Sequence, residues 1–356
     1  MRIHGIRALM LLLAVSSPAW ATPVIDVGTH YMLPNDVRTI SIGVSGGDAV
    51  QGLDFYVQLD TGGPVITGID LIGPGTLFSQ SNKGSQPIHY PDTGGSYLVW
   101  YDTVLTQPGA TLNATGTLAH VTISTTGVSA NTGYALNLSN VLGAFNTDFG
   151  TITPTINNGW IVVTNLRDLT WNASASGAWN ATTWDGALPA YPTYPNYTSN
   201  AIVNTPYTVS VASAQEANSL ALSNGGQVTI GAAGSLAVTT NTTIANGSSL
   251  LVDGVLSGQN VTLSGTMNLA AGGSAQAANI SGAGTLTVGD GAAPSSLTAD
   301  SVRVGVLTLG AGSTLTINAI PGGPSSAGSA TAPVPEPSAL VLLAAAAAIV
   351  VCRRRK

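Results

Sequence analysis

Gly247-Ser248-Ser249-Leu250-Leu251-Val252, Gly265-Thr266-Met267-Asn268-Leu269, Gly284-Thr285-Leu286-Thr287-Val288 and Gly305-Val306-Leu307-Thr308-Leu309 are four versions of one phrase, preceded by a fifth at Gly234-Ser235-Leu236-Ala237-Val238. Each is a glycine followed by a run in which apolar residues return at every second position. A strand that short cannot bury a core alone, but a phrase repeated about every 20 residues can, because stacked coils cover one another's apolar face. The five glycines are 13, 18, 19 and 21 residues apart. A parallel β-solenoid is therefore expected over residues 217–320, with Leu, Val and Ile turned inward and Gly and Asn at the corners. A disordered Gly/Ser/Thr linker would lack this regular return of apolar residues.

Working upstream, residues 165–216 hold Trp171, Trp179, Trp184, Tyr191, Tyr194, Tyr197 and Tyr207, whereas Ala217 to Asn318 contains no aromatic residue. An exposed solenoid end must be covered, so the three tryptophans are expected to cap the first coil. The alternative is a sugar-stacking platform, since flat aromatic faces suit pyranose rings. Downstream, residues 321–332 are rich in Gly, Pro, Ser and Ala and read as a flexible linker.

Residues 22–164 alternate differently. Thr39–Val44, Gly52–Leu59, Tyr97–Tyr101 and Leu118–Ile123 each show period-two patterning, separated by turn clusters such as Asp60-Thr61-Gly62-Gly63-Pro64 and Pro91-Asp92-Thr93-Gly94-Gly95. Several short strands at this spacing predict an antiparallel β-sandwich. The order of pieces resembles the cohesin-like domain, a jelly-roll sandwich related to certain carbohydrate-binding modules. The matching pieces are Ile40–Val44, Leu53–Leu59 ending in Asp60, Gly73–Phe78, Leu98–Asp102, Gly116–Ile123, Ala135–Val141 and Asn158–Val163. Leu59-Asp60-Thr61 stands where that family usually has Tyr-Asp-Pro. The resemblance implies binding of a partner protein module or a surface glycan, with no mapped site. The second half is similar to the repeat regions of autotransporter-type surface proteins, in which a Trp-rich opening precedes Gly-rich coils.

Both ends read as addresses. Arg2 and Arg7 precede the apolar run Ala8–Val15, and Ala19 and Ala21 stand where a signal peptidase reads small residues, so residues 1–21 are expected to be a signal peptide. At the other end Val334-Pro335-Glu336-Pro337 is followed by an apolar stretch from Ala339 to Cys352 and then by Arg353, Arg354, Arg355 and Lys356. A basic terminus stays on the cytoplasmic side. The stretch is shorter than the roughly 20 residues of a full span, which suits a transient stop in the inner membrane. Residues 333–356 resemble the PEP-CTERM sorting tail of Gram-negative bacteria. By that resemblance an exosortase-type enzyme processes the transmembrane sorting helix near Val334–Pro337 and places the body at the cell surface, the outer membrane or the extracellular matrix.

Composition limits the chemistry. Only 7% of the 356 residues are charged, and the formal net charge is −6. Setting aside the basic residues of the two tags leaves four basic against sixteen acidic side chains, a balance that repels phosphate backbones and excludes nucleic acid as a natural partner. Cys352, the one cysteine, sits in the tail, so disulfides and thiolate sites are absent from the body. His30, His89 and His120 remain after the leader, and His120, inside an alternating strand, reads as a sheet-surface residue. Polysaccharide lyases and hydrolases on solenoids need clustered acids, yet residues 217–318 offer only Asp253, Asp290, Asp300 and Arg303 as ionisable groups. Asp253 and Asp290, nearly two coils apart, are not adjacent, and Asp300 with Arg303 reads as a surface ion pair. No cofactor is expected. Calcium is the one ion with candidate ligands, Asp60, Asp92 and Asp102, but without an Asp-x-Asp loop these read as turn formers. Asn-x-Ser/Thr triplets such as Asn113-Ala114-Thr115 follow from composition. The expectation is an exported, non-catalytic protein of adhesion, matrix assembly or display. Carbohydrate binding is the alternative, and a polysaccharide-degrading solenoid enzyme stands further behind.

Overall fold

The computed structural model describes residues 22–79, 83–84, 88–90, 96–104, 111–139, 145–147, 150–152, 154–186, 193–270, 272–291 and 293–318. The expected signal peptide, linker and sorting tail, including Ala19, Ala21, Val334–Pro337 and Arg353–Lys356, lie outside the described residues. Every regular element among those described is a β-strand, and none of them is a helix long and apolar enough to cross a membrane. The chain divides into two compact units, one ending at Thr164 and the other beginning at Asn165.

The first unit is a two-sheet jelly-roll sandwich. One sheet runs Thr155–Asn157, Val24–Asp26, Val37–Val50, Leu112–Ser124, Val65–Asp70. The other runs Gly150–Ile152, Phe145–Thr147, Gly52–Leu59, Thr132–Ser139, Gly159–Val163, Thr29–Met32, with Leu98–Val104 also paired to Gly52–Leu59. Most neighbours are antiparallel, but Val24–Asp26 lies parallel to Thr155–Asn157 and Thr29–Met32 parallel to Gly159–Val163. The unit's first strands thus pair with its last at one edge of each sheet. Alternation sets the faces: Ile40, Ile42 and Val44 are buried between the sheets while Ser41 points to solvent. Phe55, Val57, Leu59, Val99, Leu136 and Ile161 meet them from the opposite sheet in one apolar cluster.

The second unit is a parallel β-solenoid of about six coils with three faces. The first face stacks Thr208–Val211, Gln227–Ile230, Ser249–Val252, Thr266–Leu269, Thr285–Val288 and Val306–Leu309. The second and third faces of later coils are successive halves of single long strands, Ser235–Ile244, Val255–Leu263, Ser274–Ser281 and Ser296–Arg303. Pairing is parallel and in register, so Val209, Val228, Leu250, Met267 and Leu286 form one inward column and Val211, Ile230, Val252, Leu269 and Val288 the next. All ten are buried in one continuous core. With rungs about 4.8 Å apart, each side chain rests on its counterpart above and below.

Two expectations change. The ladder begins well before residue 217: Arg167–Trp171 pairs in parallel with Ser199–Val203, which pairs with Ser219–Leu222. These early rungs carry Ala, Ser and Asn in place of the glycine phrase, so the repeat is not visible there in the sequence. The 13-residue gap also has a cause. Gly247, Gly265, Gly284 and Gly305 precede first-face strands, whereas Gly234 precedes Ser235, where a second-face segment begins. Gly234 therefore belongs to a different corner.

The paced glycines serve close packing more than unusual dihedrals. A Cβ on Gly265 would overlap the carbonyl oxygens of Ser248 and Ala245, and one on Gly284 would overlap that of Gly265. Gly247 has φ 80° and open space beside it. Gly247→Ala should therefore cost about 1–2 kcal/mol for the left-handed backbone alone. Gly265→Ala must push neighbouring coils apart and should lower the thermal midpoint at least twice as far. Equal shifts in a melting comparison would show that backbone conformation, not coil-to-coil approach, selects these glycines.

Candidate functional site

The sequence offers two uses for the tryptophan group, a cap on the first coil and a sugar-stacking platform. Trp171 ends the third-face strand Arg167–Trp171 and pairs with Trp184 across an antiparallel bridge. Their rings meet edge to face with centroids 5.2 Å apart, and Trp179 and Trp184 do the same at 5.4 Å. The relative exposures of Trp171, Trp179 and Trp184 are 1%, 1% and 3%. Each indole N–H donates to a backbone carbonyl, of Ala175, Pro195 and Trp179 respectively. Neither ring faces nor N–H groups are open to a sugar, which overturns the stacking platform at these residues. The three rings belong to the solenoid's own apolar cluster and fill the interior of its first coils.

The remaining candidates are dispersed. His120 lies half-buried on the outward side of Leu112–Ser124, its Nδ1 3.1 Å from Ser41 Oγ on the neighbouring strand. His30 Nε2 is 2.7 Å from the Val27 carbonyl oxygen. His89 lies in the strand Ile88–Tyr90. Asp60 accepts a hydrogen bond from the Ala135 N–H at 2.8 Å, Asp102 sits within Leu98–Val104, and Asp92 lies outside the described residues. Among the described residues no group of three or more His, Cys, Asp or Glu converges on a common point. Register puts Val252, Leu269 and Val288 on successive rungs, so a whole coil separates Asp253 from Asp290. Trp160, read from the sequence only within a closing strand, is 50% exposed on Gly159–Val163. An exposed indole on a sheet is the kind of side chain that anchors an interface.

One concave feature among the described residues of the solenoid is a groove of about 530 Å³ where its second and third faces meet. In the later coils the strand bends there at single residues, Gln259, Ala278 and Asp300, rather than through a loop. Beneath the groove the inward column led by Val238 continues as Gly258, Ala277 and Ala299, small residues where other inward columns carry Leu or Ile. Ser257, Gln276 and Thr298 stand above it on three successive coils, with Asn318 at the far end. A second hollow of about 350 Å³, lined by Tyr194, Asn196 and Gln215, shares Ala237 with the groove and extends it toward the solenoid's start. Beyond the bend runs a ladder of amides: Asn260 donates to Asn241 at 3.3 Å, Asn279 donates to Asn260 at 3.0 Å, and Ser301 donates to Asn279 at 2.7 Å. The glycine phrase does not announce a groove; only the Gly/Ala column hints at it.

With this geometry in place, comparison with known proteins adds the address. Residues 333–356 match the family described as the PEP-CTERM protein-sorting motif. The chain thus carries a C-terminal sorting motif, the mark of an exported protein sorted to the cell surface. No curated protein matches the chain. Among solved structures it is similar to the third cohesin of ScaC from Acetivibrio cellulolyticus, solved with the ScaB dockerin, at 15% identity and TM-score 0.34, covering 40% of this chain and 99% of that one. It is also similar to a non-cellulosomal cohesin from the archaeon Archaeoglobus fulgidus, at 12% identity and TM-score 0.33, covering 41% and 93%. A third is CaCohA2 from Clostridium acetobutylicum, at 16% identity and TM-score 0.32, covering 41% and 92%.

The packing of the indoles makes Trp179→Ala a stability variant. Truncating a fully buried tryptophan removes roughly 3–5 kcal/mol, so a lower thermal midpoint is expected, with Trp179→Phe recovering some of the loss. An unchanged midpoint by circular dichroism would show that the ring does not support the first coils.

Proposed function

We propose that this chain is an exported, non-catalytic surface or matrix protein, acting in adhesion, matrix assembly or display, and that an exosortase-type enzyme processes its tail. The observation that carries this reading is the match of residues 333–356 to a protein-sorting motif. In the proposed sequence of events a signal peptidase cuts after Ala21, and the apolar stretch Ala339–Cys352 holds the chain in the inner membrane. Arg353, Arg354, Arg355 and Lys356 stay on the cytoplasmic side. Cleavage near Val334-Pro335-Glu336-Pro337 then frees the two folded units for the surface.

A body with few charges suits this role. In the solenoid a whole coil separates Asp253 from Asp290, farther apart than two acids that flank one glycosidic bond, while in the sandwich Asp54 stands opposite Asp102 on the neighbouring strand. The sandwich presents polar rows such as Thr39 with Thr122 and Ser41 with His120 on one outer sheet face and Trp160 on the other sheet. These surfaces suit contact with a partner protein module or a glycan better than a reaction. Calcium remains a proposal for the turn aspartates alone, and an unchanged melting midpoint on chelation would dispose of it.

Intact-mass measurement of protein recovered from envelope and medium fractions tests the address. The expected species begins at Thr22 and ends near Val334–Pro337. Replacing Pro335, Glu336 and Pro337 together by alanine should leave the protein in the inner membrane with its tail intact. Recovery of native protein that still carries Arg353–Lys356 at the surface would overturn the processing reading.

A further inference from the structure

We infer that the groove along the bend between the second and third solenoid faces binds an extended, neutral glycan chain. The inference deepens the surface role proposed above and rests on it only for access to such a chain. Three observations carry it.

The first is the chemistry of the walls. Ser257, Gln259, Gln276 and Thr298 present hydroxyls and amides, and no lysine or arginine lines the groove. Gln259 and Gln276 are exposed and Ser257 and Thr298 half-buried, so these side chains face the solvent a ligand would replace. A surface of neutral donors and acceptors answers a row of hydroxyls. A polyanion would find no cation there, only the carboxylates of Asp300 in the groove and Glu216 in the adjoining hollow.

The second is direction. The groove runs across the strands, along the stack, and the backbone groups of 235–238, 255–258, 274–277 and 296–299 are already spent in parallel pairing. A peptide binding by strand addition needs free backbone groups at an edge, and this groove offers side chains only. Rungs are about 4.8 Å apart, close to the length one pyranose ring occupies along an extended chain. A ligand that repeats at that step meets a hydroxyl or an amide on three successive coils, from Ser257, Gln276 and Thr298.

The third is the floor. Gly258 and Ala278, both half-buried, leave a narrow strip without bulky side chains on which the C–H faces of sugar rings can lie, and the hollow beyond Ala237 adds the half-buried ring of Tyr194 at one end. One aromatic contact and several neutral hydrogen bonds make for weak binding at a single site, which many copies displayed on a surface turn into firm retention.

Isothermal titration of the purified full-length protein with cello-, manno- and chito-oligosaccharides of increasing length, with polygalacturonate as the acidic probe, tests this. For at least one neutral series, affinity should rise with length up to about five units, the number of rungs the groove crosses. It should fall about tenfold when Gln259 and Gln276 are both changed to alanine, exposed substitutions that leave the fold intact. Ala237→Arg, at the junction of the two hollows, should remove the gain from longer chains, and Thr229→Ala on the first face should change nothing. Circular dichroism verifies that each variant is folded. Failure of all three neutral series to bind, preference for polygalacturonate, or binding indifferent to the groove variants overturns the inference. Because the assay uses purified protein, a negative result leaves the sorting reading standing, and glycan binding by protein retained in the inner membrane would sink the sorting reading alone.

Discussion

In-register parallel stacking at one rung per coil is the constraint on which the solenoid depends. Once coils lie about 4.8 Å apart, every inward position must accept the side chain of the coil before and after it, as the column Val209, Val228, Leu250, Met267, Leu286 does. Every corner must let one turn settle on the previous one. That is why Gly265 and Gly284 have carbonyl oxygens of the preceding coil where a Cβ would be. Side-chain volume and the spacing between coils are thus a single condition, met residue by residue.

The same stacking explains what lies at the ends and on the surface. At the start of the stack the interior is filled by large side chains. Trp171, Trp179 and Trp184 supply that volume with every indole N–H satisfied by backbone. Along the sides, whatever a sequence places at one position is repeated with the coil. Asn241, Asn260 and Asn279 become a bonded ladder, while small residues in the column that holds Gly258 and Ala277 become a continuous depression. A groove in this fold is a column of small side chains next to a bend.

The sandwich was legible because its signal is local. Alternation in Ile40–Val44 and Gly52–Leu59 depends on neighbours in sequence, and a strand with one buried face must alternate wherever it ends up. Pairing partners were less legible: nothing in Val24–Asp26 says that it will lie beside Thr155–Asn157, since that contact spans the whole unit. In the solenoid the glycine phrase showed the period but blurred its phase. Gly234 and Gly247 look alike in sequence and occupy different corners. The earliest coils went unread because Ser199–Val203 and Ser219–Leu222 carry no such glycine.

The sequence alone determined the all-β character, the division between an alternating half and a repeating half, and the address at the C-terminal end. Each of these is a property of residue order and composition that survives without a fold. Only the tertiary structure decided how the tryptophans are used and where a ligand has room. An indole in a Gly-rich chain reads the same whether its face is open or covered, and the covering atoms, the Ala175 and Pro195 carbonyls and the neighbouring rings, arrive through folding. The groove has the same origin: Gly258, Ala277 and Ala278 are spread over more than one coil of chain, and it is stacking that sets them side by side.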